Sequence, residues 1–317
     1  MDRPYDVLIV GEANPDIIVT GDVVPEFGQV EKLVDHLSVY AGGSAGIFAA
    51  GAARMGLRVL FASKVGDDLF GHFMIEALQG AGVDTSAIIV DPRIKTGSSI
   101  HLLQGTDRAI LTFLGSIAAI TPDNVNPAWY GQARHLHVAS PFLLNALRPL
   151  MPEMMRKARE AGMSVSLDTN WDPSGCWELE GFFDCLDVFL PNENELKAIT
   201  SKADLEEATC VMASRVPVLV TKRGAKGATA IVGDERVDVP AFPIRVVDTT
   251  GAGDTFDGGF LAGWLRGESL RQCLLLGAAC GGLTTTQPGG FNGQPTWDEA
   301  VAFIREHTGS AGFSLDV

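Results

Sequence analysis

The chain has 317 residues, 46% of them hydrophobic and 20% charged, which suits a globular protein with a substantial core and argues against disorder. Its 39 acidic against 24 basic residues leave a formal charge of −15, which excludes a surface built to neutralise nucleic-acid phosphates and disfavours long-range attraction of an anionic substrate. The opening Met1-Asp2-Arg3-Pro4-Tyr5-Asp6 has no basic stretch followed by a long apolar one, and the apolar run 274–283 is too short to span a bilayer, so a cytoplasmic protein without membrane contact is expected.

Residues 6–10 form a short apolar run closing on Gly11-Glu12, the pattern of a buried first strand. Asn14 and Asp16 follow directly, where ligands collect beyond the carboxyl ends of strands in open α/β sheets. From 16 to about 39 the apolar runs are broken by Gly21, Pro25 and Gly28, suggesting short strands that leave the main sheet. Residues 44–55 read as a helix, 59–64 as a strand and 71–79 as a helix. Two further strand-like runs, 98–103 and 109–113, flank the polar turn Gly105-Thr106-Asp107-Arg108. Together with the first group they predict a small lid, two strands from each of the segments 16–40 and 96–115, inserted in one domain spanning 1–317.

The order of strand and helix continues through 135–139, 150–160, 164–168, 188–190, 205–213 and 216–221. Helical patterns at 256–265, 270–284 and 297–307 complete the chain, and 308–317 carries no clear signal. The expectation is a three-layer α/β fold, a mostly parallel central sheet flanked by helices, with a small β-sheet lid. Five cysteines, Cys176, Cys185, Cys210, Cys273 and Cys280, form no CxxC motif and read as reduced structural thiols. The six histidines, His101, His135 and His137 among them, show no zinc spacing and read as structural.

Chemistry concentrates in Val247-Asp248-Thr249-Thr250-Gly251-Ala252-Gly253-Asp254-Thr255-Phe256. Gly251 and Gly253 permit backbone geometries closed to other residues, and an apolar helical pattern of Phe256, Phe260, Leu261, Trp264 and Leu265 begins at once. A helix start presents unpaired N–H groups and the positive end of its dipole, so the amides of Ala252, Gly253 and Asp254 can cradle a phosphoryl group while Asp254 takes a proton from an attacking hydroxyl. The segment alone equally allows Asp254 to cap the helix over a glycine turn. No Lys follows the glycines, so this is not a Walker A loop, and GxGxxG is absent here, which disfavours a nicotinamide enzyme.

The stretch 248–256 resembles the C-terminal signature of the ribokinase-like, or phosphofructokinase B type, family of carbohydrate kinases. Gly42-Gly43-Ser44-Ala45 before a helix is similar to its N-terminal signature, and the likeness runs from Gly11-Glu12-Ala13-Asn14-Pro15-Asp16 to Gln287-Pro288-Gly289-Gly290. The resemblance implies ATP-dependent phosphorylation of a sugar or sugar-derivative hydroxyl, with Asp254 as general base and Gly251, Ala252 and Gly253 as the anion hole. It implies acceptor contacts from Asn14, Asp16, Gly42 and Gly43.

Asn192-Glu193-Asn194-Glu195 resembles the family's NxxE element, which places Asn192 at the nucleotide and Glu195 behind a water-bound Mg²⁺; read by themselves, the two residues form a helix cap and its capping box. The run 218–227 resembles the nucleotide-binding loop, with Thr221, Gly224 and Gly227 near the nucleotide and Lys222 supplying charge, unless that lysine is only solvated. Asp248 and Thr250, with the loop 287–290, resemble a K⁺ site, or else they pin their turn by local hydrogen bonds. Family relatives also suggest a homodimer through the lid.

Two departures weaken transfer of ribose or fructose specificity. Ile47 stands where the family commonly has Asn, and the DxNxR stretch is here Asp168-Thr169-Asn170-Trp171-Asp172, without the guanidinium. Ser140-Pro141-Phe142-Leu143-Leu144 is apolar where acceptor contacts are expected, which reads as packing or as a wall for a less polar acceptor. A nucleoside kinase with the same chemistry, and a catalytically idle sensor of the same fold, are the competing expectations.

Overall fold

The computed structural model describes residues 3–104 and 107–309, so Gly105 and Thr106 of the expected turn and the end of the chain, 310–317, lie outside the described residues. β1 (Tyr5–Val10) runs through the middle of the sheet, and Val7, Leu8, Ile9 and Val10 are each 0% exposed. Its apolar run does not alternate with polar residues because both faces of a parallel sheet are covered. The chain then leaves the main sheet for β2 (Asn14–Gly21) and β3 (Val34–Gly42), an antiparallel pair.

It returns through α1 (Ser44–Arg54), β4 (Val59–Gly66), α2 (Leu69–Gly80) and β5 (Ile88–Asp91), then departs again for β6 (Ser98–Gln104) and β7 (Asp107–Phe113). The start of α2 is set by Asp68, whose side chain accepts from the Gly71 N–H at 2.9 Å, a normal N-cap. β8 (Ala133–Ala139), α3 (Met151–Glu160), β9 (Ser164–Asp168), β10 (Val188–Phe189), α4 (Glu193–Thr200), α5 (Leu205–Ala213) and β11 (Val218–Lys222) follow. After β12 (Ala228–Val232) and β13 (Glu235–Val239) come α6 (Ala252–Arg266), α7 (Leu270–Thr284) and α8 (Trp297–Thr308).

The main sheet has nine strands in the order β13-β12-β11-β10-β9-β8-β1-β4-β5, parallel from β11 to β5, with β12 and β13 added antiparallel at one edge. The other four strands make a separate sheet, β3-β2-β6-β7, in which only the β2–β6 pair is parallel. A mostly parallel sheet flanked by helices, with a small second sheet, is therefore the fold. β5, β12 and β13 have no counterpart among the strands expected from sequence. β12 and β13 are five residues each, and β13, Glu235-Arg236-Val237-Asp238-Val239, is charged as befits an exposed edge.

Alternate residues of β1 feed two cores. Val7 and Ile9 pack with Phe48, Phe260 and Leu276 on one face, Leu8 and Val10 with Leu136, Met155 and Met212 on the other, which gives the three layers. α6 is enclosed by α1 and α7 through glycine contacts. A Cβ on Gly259 would lie 2.7 Å from Cys280 Sγ and 2.8 Å from the Leu276 carbonyl oxygen, so only glycine lets the two helices approach this closely.

Candidate active site

The polar residues of interest converge on the carboxyl edge of the parallel sheet, where strand-end loops and helix starts meet. Glu12 and Asn14 follow β1, Ser140 follows β8, Asp168 and Asn170 end β9, Lys222 ends β11, and Asp254 lies in the first turn of α6. Two cavities open on this edge. One, of about 810 Å³, is lined by Gly43, Thr250 and Asp254 from the body and by Asn14, Asp16, Ser99, His101 and Thr112 from the small sheet. The other, of about 660 Å³, is lined by Lys222, Gly224, Gly227, Ala252 and Gly253, with Phe242, Pro243, Ile244 and Phe256 as an apolar wall. The start of α6 lies between them.

That helix start is built on Gly251, which caps α6 at φ +73° without any side-chain hydrogen bond. An added Cβ there would meet Ile47 Cγ2 at 2.8 Å and Gly290 Cα at 2.9 Å. Ile47 thus fills the space between two glycine loops, which gives the residue a packing role where the family resemblance led one to expect an amide. Asp254 does not cap the helix. Of the three expected cradle amides, Ala252 N–H turns back to the Thr249 carbonyl at 3.3 Å, while those of Gly253 and Asp254 have no backbone partner among the described residues. The cradle therefore narrows to two N–H groups.

Asp254 is 8% exposed. Burial, with the Asp168 carboxylate nearby, pushes its carboxyl up to about 7, against the opposing pull of Lys222 and of the neighbouring polar side chains of Asn170 and Ser44. Glu12 is 2% exposed and lines the same cavity; Ala45 N–H donates to its Oε1 at 3.4 Å, its Oε2 has no hydrogen-bond partner among the described residues, and burial pushes it up to about 8. Asp16 meets His101 of β6, with Oδ1 and Nε2 3.3 Å apart, and Gly42 lies so close to the Asp16 carboxyl that any Cβ would overlap it. His101 is thus drawn from the structural histidines into the cavity. Its link to Asp16 joins β2 and β6, neighbours in the sheet but far apart along the chain, and no local spacing could have shown it.

His135 and His137 stay structural. His135 is bonded to Ser164 at 2.7 Å and to Ser166 at 2.6 Å, His137 to Ser166 at 2.7 Å with its ring stacked on Phe48, and burial keeps both neutral.

Lys222 is not a solvated surface residue. Its side chain is 11% exposed and its Nζ lies 2.7 Å from Asp168 Oδ2 and 3.0 Å from Asp257 Oδ2. Burial alone would lower the lysine, but the two carboxyls hold it above its ordinary value. Burial pushes Asp257 well up, whereas Lys222 more than offsets burial at Asp168 and holds it down. The cluster therefore reads as a lysine cation, an Asp168 anion and a protonated Asp257. Its ammonium would lie 3.4 Å from a Cβ on Gly253, directly beneath the helix start.

Other expected residues are placed less directly. Thr221 is buried in β11, paired with Thr229, and is absent from the lining of the second cavity; the side chain one residue on reaches it instead. Asn192 and Glu195 realise the capping box of α4: Asn192 accepts from the N–H groups of Asn194 and Glu195, and Glu195 accepts from the Asn192 N–H at 2.9 Å. Both lie outside the two cavity linings, and burial, then Asp168, pushes Glu195 up to about 7. Asp248 accepts from the N–H and hydroxyl of Thr250 at 2.9 and 2.8 Å and from the Gly289 N–H at 2.9 Å, tying the turn to the 287–290 loop. Among the described residues no group of three or more His, Cys, Asp or Glu side chains is arranged to hold a metal. No helix among them is long and apolar enough to cross a membrane.

Residues 5–297 match the model of the pfkB family of carbohydrate kinases, and the chain belongs to that family. It is accordingly an ATP-dependent carbohydrate kinase. It is 29% identical over 84% of its length, and 83% of the relative's, to probable fructokinase-3 of Arabidopsis thaliana, and 25% identical to ribokinase of Bacillus subtilis, over 94% and 99% of the two chains. An Escherichia coli protein assigned as ribokinase II, solved in complex with ATP and Mg²⁺, superposes with a TM-score of 0.85 at 25% identity, covering 96% of this chain and 100% of that one.

Proposed function

We propose that the chain transfers the terminal phosphoryl group of ATP to a hydroxyl of a small sugar or sugar derivative, with Asp254 as general base. The observation that carries this reading is the position of Asp254: a buried carboxyl in the wall of one cavity, three residues past a helix-capping glycine whose neighbours line the other. The acceptor lies in the larger cavity against Asn14, Asp16, His101 and Asp254, and the small sheet serves as its lid. The adenine lies in the second cavity on Ile244 and Phe256, beside Gly281 and Gly282. The terminal phosphoryl meets the N–H groups of Gly253 and Asp254, where helix dipole and unpaired donors favour the charge that builds on its oxygens.

Mg²⁺ keeps most of its water and binds through phosphates and one or two carboxylates, which suits a site lacking a protein cage. Glu195 is proposed to orient that water shell from the first turn of α4. Asp248 and Thr250 are proposed to order the anion hole around K⁺, at the turn that the Asp248 carboxylate ties to Gly289.

Acceptor-dependent ADP formation tests the central assignment. Asp254→Asn should lower kcat by about 10² to 10⁴-fold with nucleotide binding preserved, and an unchanged kcat would refute the base. Replacing KCl by NaCl in the same assay should slow the wild-type enzyme if the cation site is real, and equal rates would remove it.

A further inference from the structure

The acceptor cavity holds one feature that phosphoryl transfer does not use. Among the described residues lining it, Arg148 is the only lysine or arginine, facing an otherwise acidic set of Glu12, Asp16, Asp172 and Asp254. Arg148 opens a 3-10 turn, Arg148–Leu150, between β8 and α3, half-buried, with its guanidinium 5.8 Å from the centre of the Phe142 ring. No carboxylate among the described residues lies within ion-pair distance of it, although other arginines and lysines of the chain are paired.

Asp172 is the acid whose charge Arg148 influences, yet its oxygens are committed elsewhere. They accept from the Ser174 N–H at 2.8 Å, the Ser174 hydroxyl at 2.7 Å and the Trp177 N–H at 2.7 Å. Those bonds shape the 172–177 turn and leave the guanidinium without a protein counter-ion. Asn145, three residues before Arg148, lines the same cavity and adds an amide donor.

We infer that Arg148, with Asn145, binds a carboxylate on the phosphoryl acceptor, so that the substrate is a sugar acid. This deepens the kinase reading above and rests on it. A planar guanidinium matches a carboxylate in two parallel N–H···O bonds. A single guanidinium with no lysine among the lining residues matches one negative charge, which favours a carboxylate over a phosphate dianion. The replacement of the expected arginine by Asp172 fits the same picture, because Arg148 returns a guanidinium to the cavity from a different segment.

The test is acceptor-dependent ADP formation by the full chain with D-ribonate, D-gluconate and 2-keto-D-gluconate, each beside D-ribose, D-glucose and D-fructose, with D-fructose 6-phosphate as the dianionic control. At least one acid should exceed every neutral sugar in kcat/KM. Arg148→Ala should raise KM for that acid by about 10- to 100-fold, the worth of a charge-assisted hydrogen bond, with little change in kcat or in KM for neutral sugars. Arg148→Lys should restore part of the loss, and a retained circular-dichroism melt would show that the fold is intact. Turnover confined to neutral sugars or to the sugar phosphate, or an equal effect of Arg148→Ala on acids and neutral sugars, would overturn the carboxylate site and leave the kinase reading standing. Calorimetry separates the remaining outcomes: Arg148-dependent binding of an acid without turnover of any acceptor would support the site and refute the kinase reading, and no binding of any acid would overturn the site.

Discussion

At Asp254 two influences of opposite sign meet on one carboxyl. Burial and the Asp168 carboxylate favour its protonated form, while Lys222, Asn170 and Ser44 favour the anion, and the balance lies at about 7. A base acts deprotonated, so kcat/KM should fall about tenfold per pH unit below that value and level off above it. Lys222 is the ammonium in this balance. Lys222→Met should move the acid limb to higher pH, because the lost cation no longer favours the anion, and the loss at neutral pH should be recovered in alkali. The same change strips the Asp168 carboxylate of its buried counter-ion and should cost about 3–5 kcal/mol in denaturant unfolding. An unshifted pH profile would show that Lys222 does not set the charge of Asp254.

At the scale of the element, α6 decides where the base and the anion cradle stand. It is held by contacts that exclude side chains: Gly258 against the backbone of α1, Gly259 and Gly263 against α7. Gly259→Val should force α6 from α7, with an unfolding cost of about 1–3 kcal/mol, as overpacking of a dense interior does. It should also lower kcat, since a helix displaced by a fraction of an ångström misplaces Asp254 and the Gly253 N–H together. Wild-type unfolding and turnover in that variant would contradict a helix positioned by its glycines. The small sheet is the second element that matters, because it holds Asp16 and His101 side by side on β2 and β6. It also exposes Leu37, Val39, Leu111 and Phe113, apolar side chains that support a second copy of the chain covering it. Light scattering should give a dimer for the wild type and a monomer when Leu111 and Phe113 are both changed to Ser; a wild-type monomer would contradict the arrangement.

Across the whole molecule, two cavities share one helix start, and the sheet brings residues from β1 to α6 to that point. Much of this was legible locally. The glycines at 251 and 253, the acid at 254 and the apolar spacing of Phe256, Phe260 and Leu261 lie within a dozen residues and declare a helix entrance by themselves. The alternation of strands and helices likewise announced the layers. What escaped was either short or distant. β12 and β13 are brief, one of them charged, and the lysine cluster joins β9, β11 and α6, three elements whose neighbourhood exists only once the sheet order is known. Thr221 and Lys222 were read together as nucleotide contacts, yet adjacent strand residues face opposite ways, so only one reaches the cavity. The apolar slot for adenine combines the 241–246 loop with α7, a pairing that no motif encodes.

The central claim is that one carboxyl meets the acceptor oxygen beside the helix start that holds the transferring group. A crystal structure of the full chain with a non-hydrolysable ATP analogue, Mg²⁺ and a turned-over acceptor tests it most directly. The account predicts an acceptor hydroxyl within about 3 Å of an Asp254 oxygen and the terminal phosphate on the Gly253 and Asp254 N–H groups. An acceptor bound away from Asp254, or a terminal phosphate seated away from the start of α6, would contradict it.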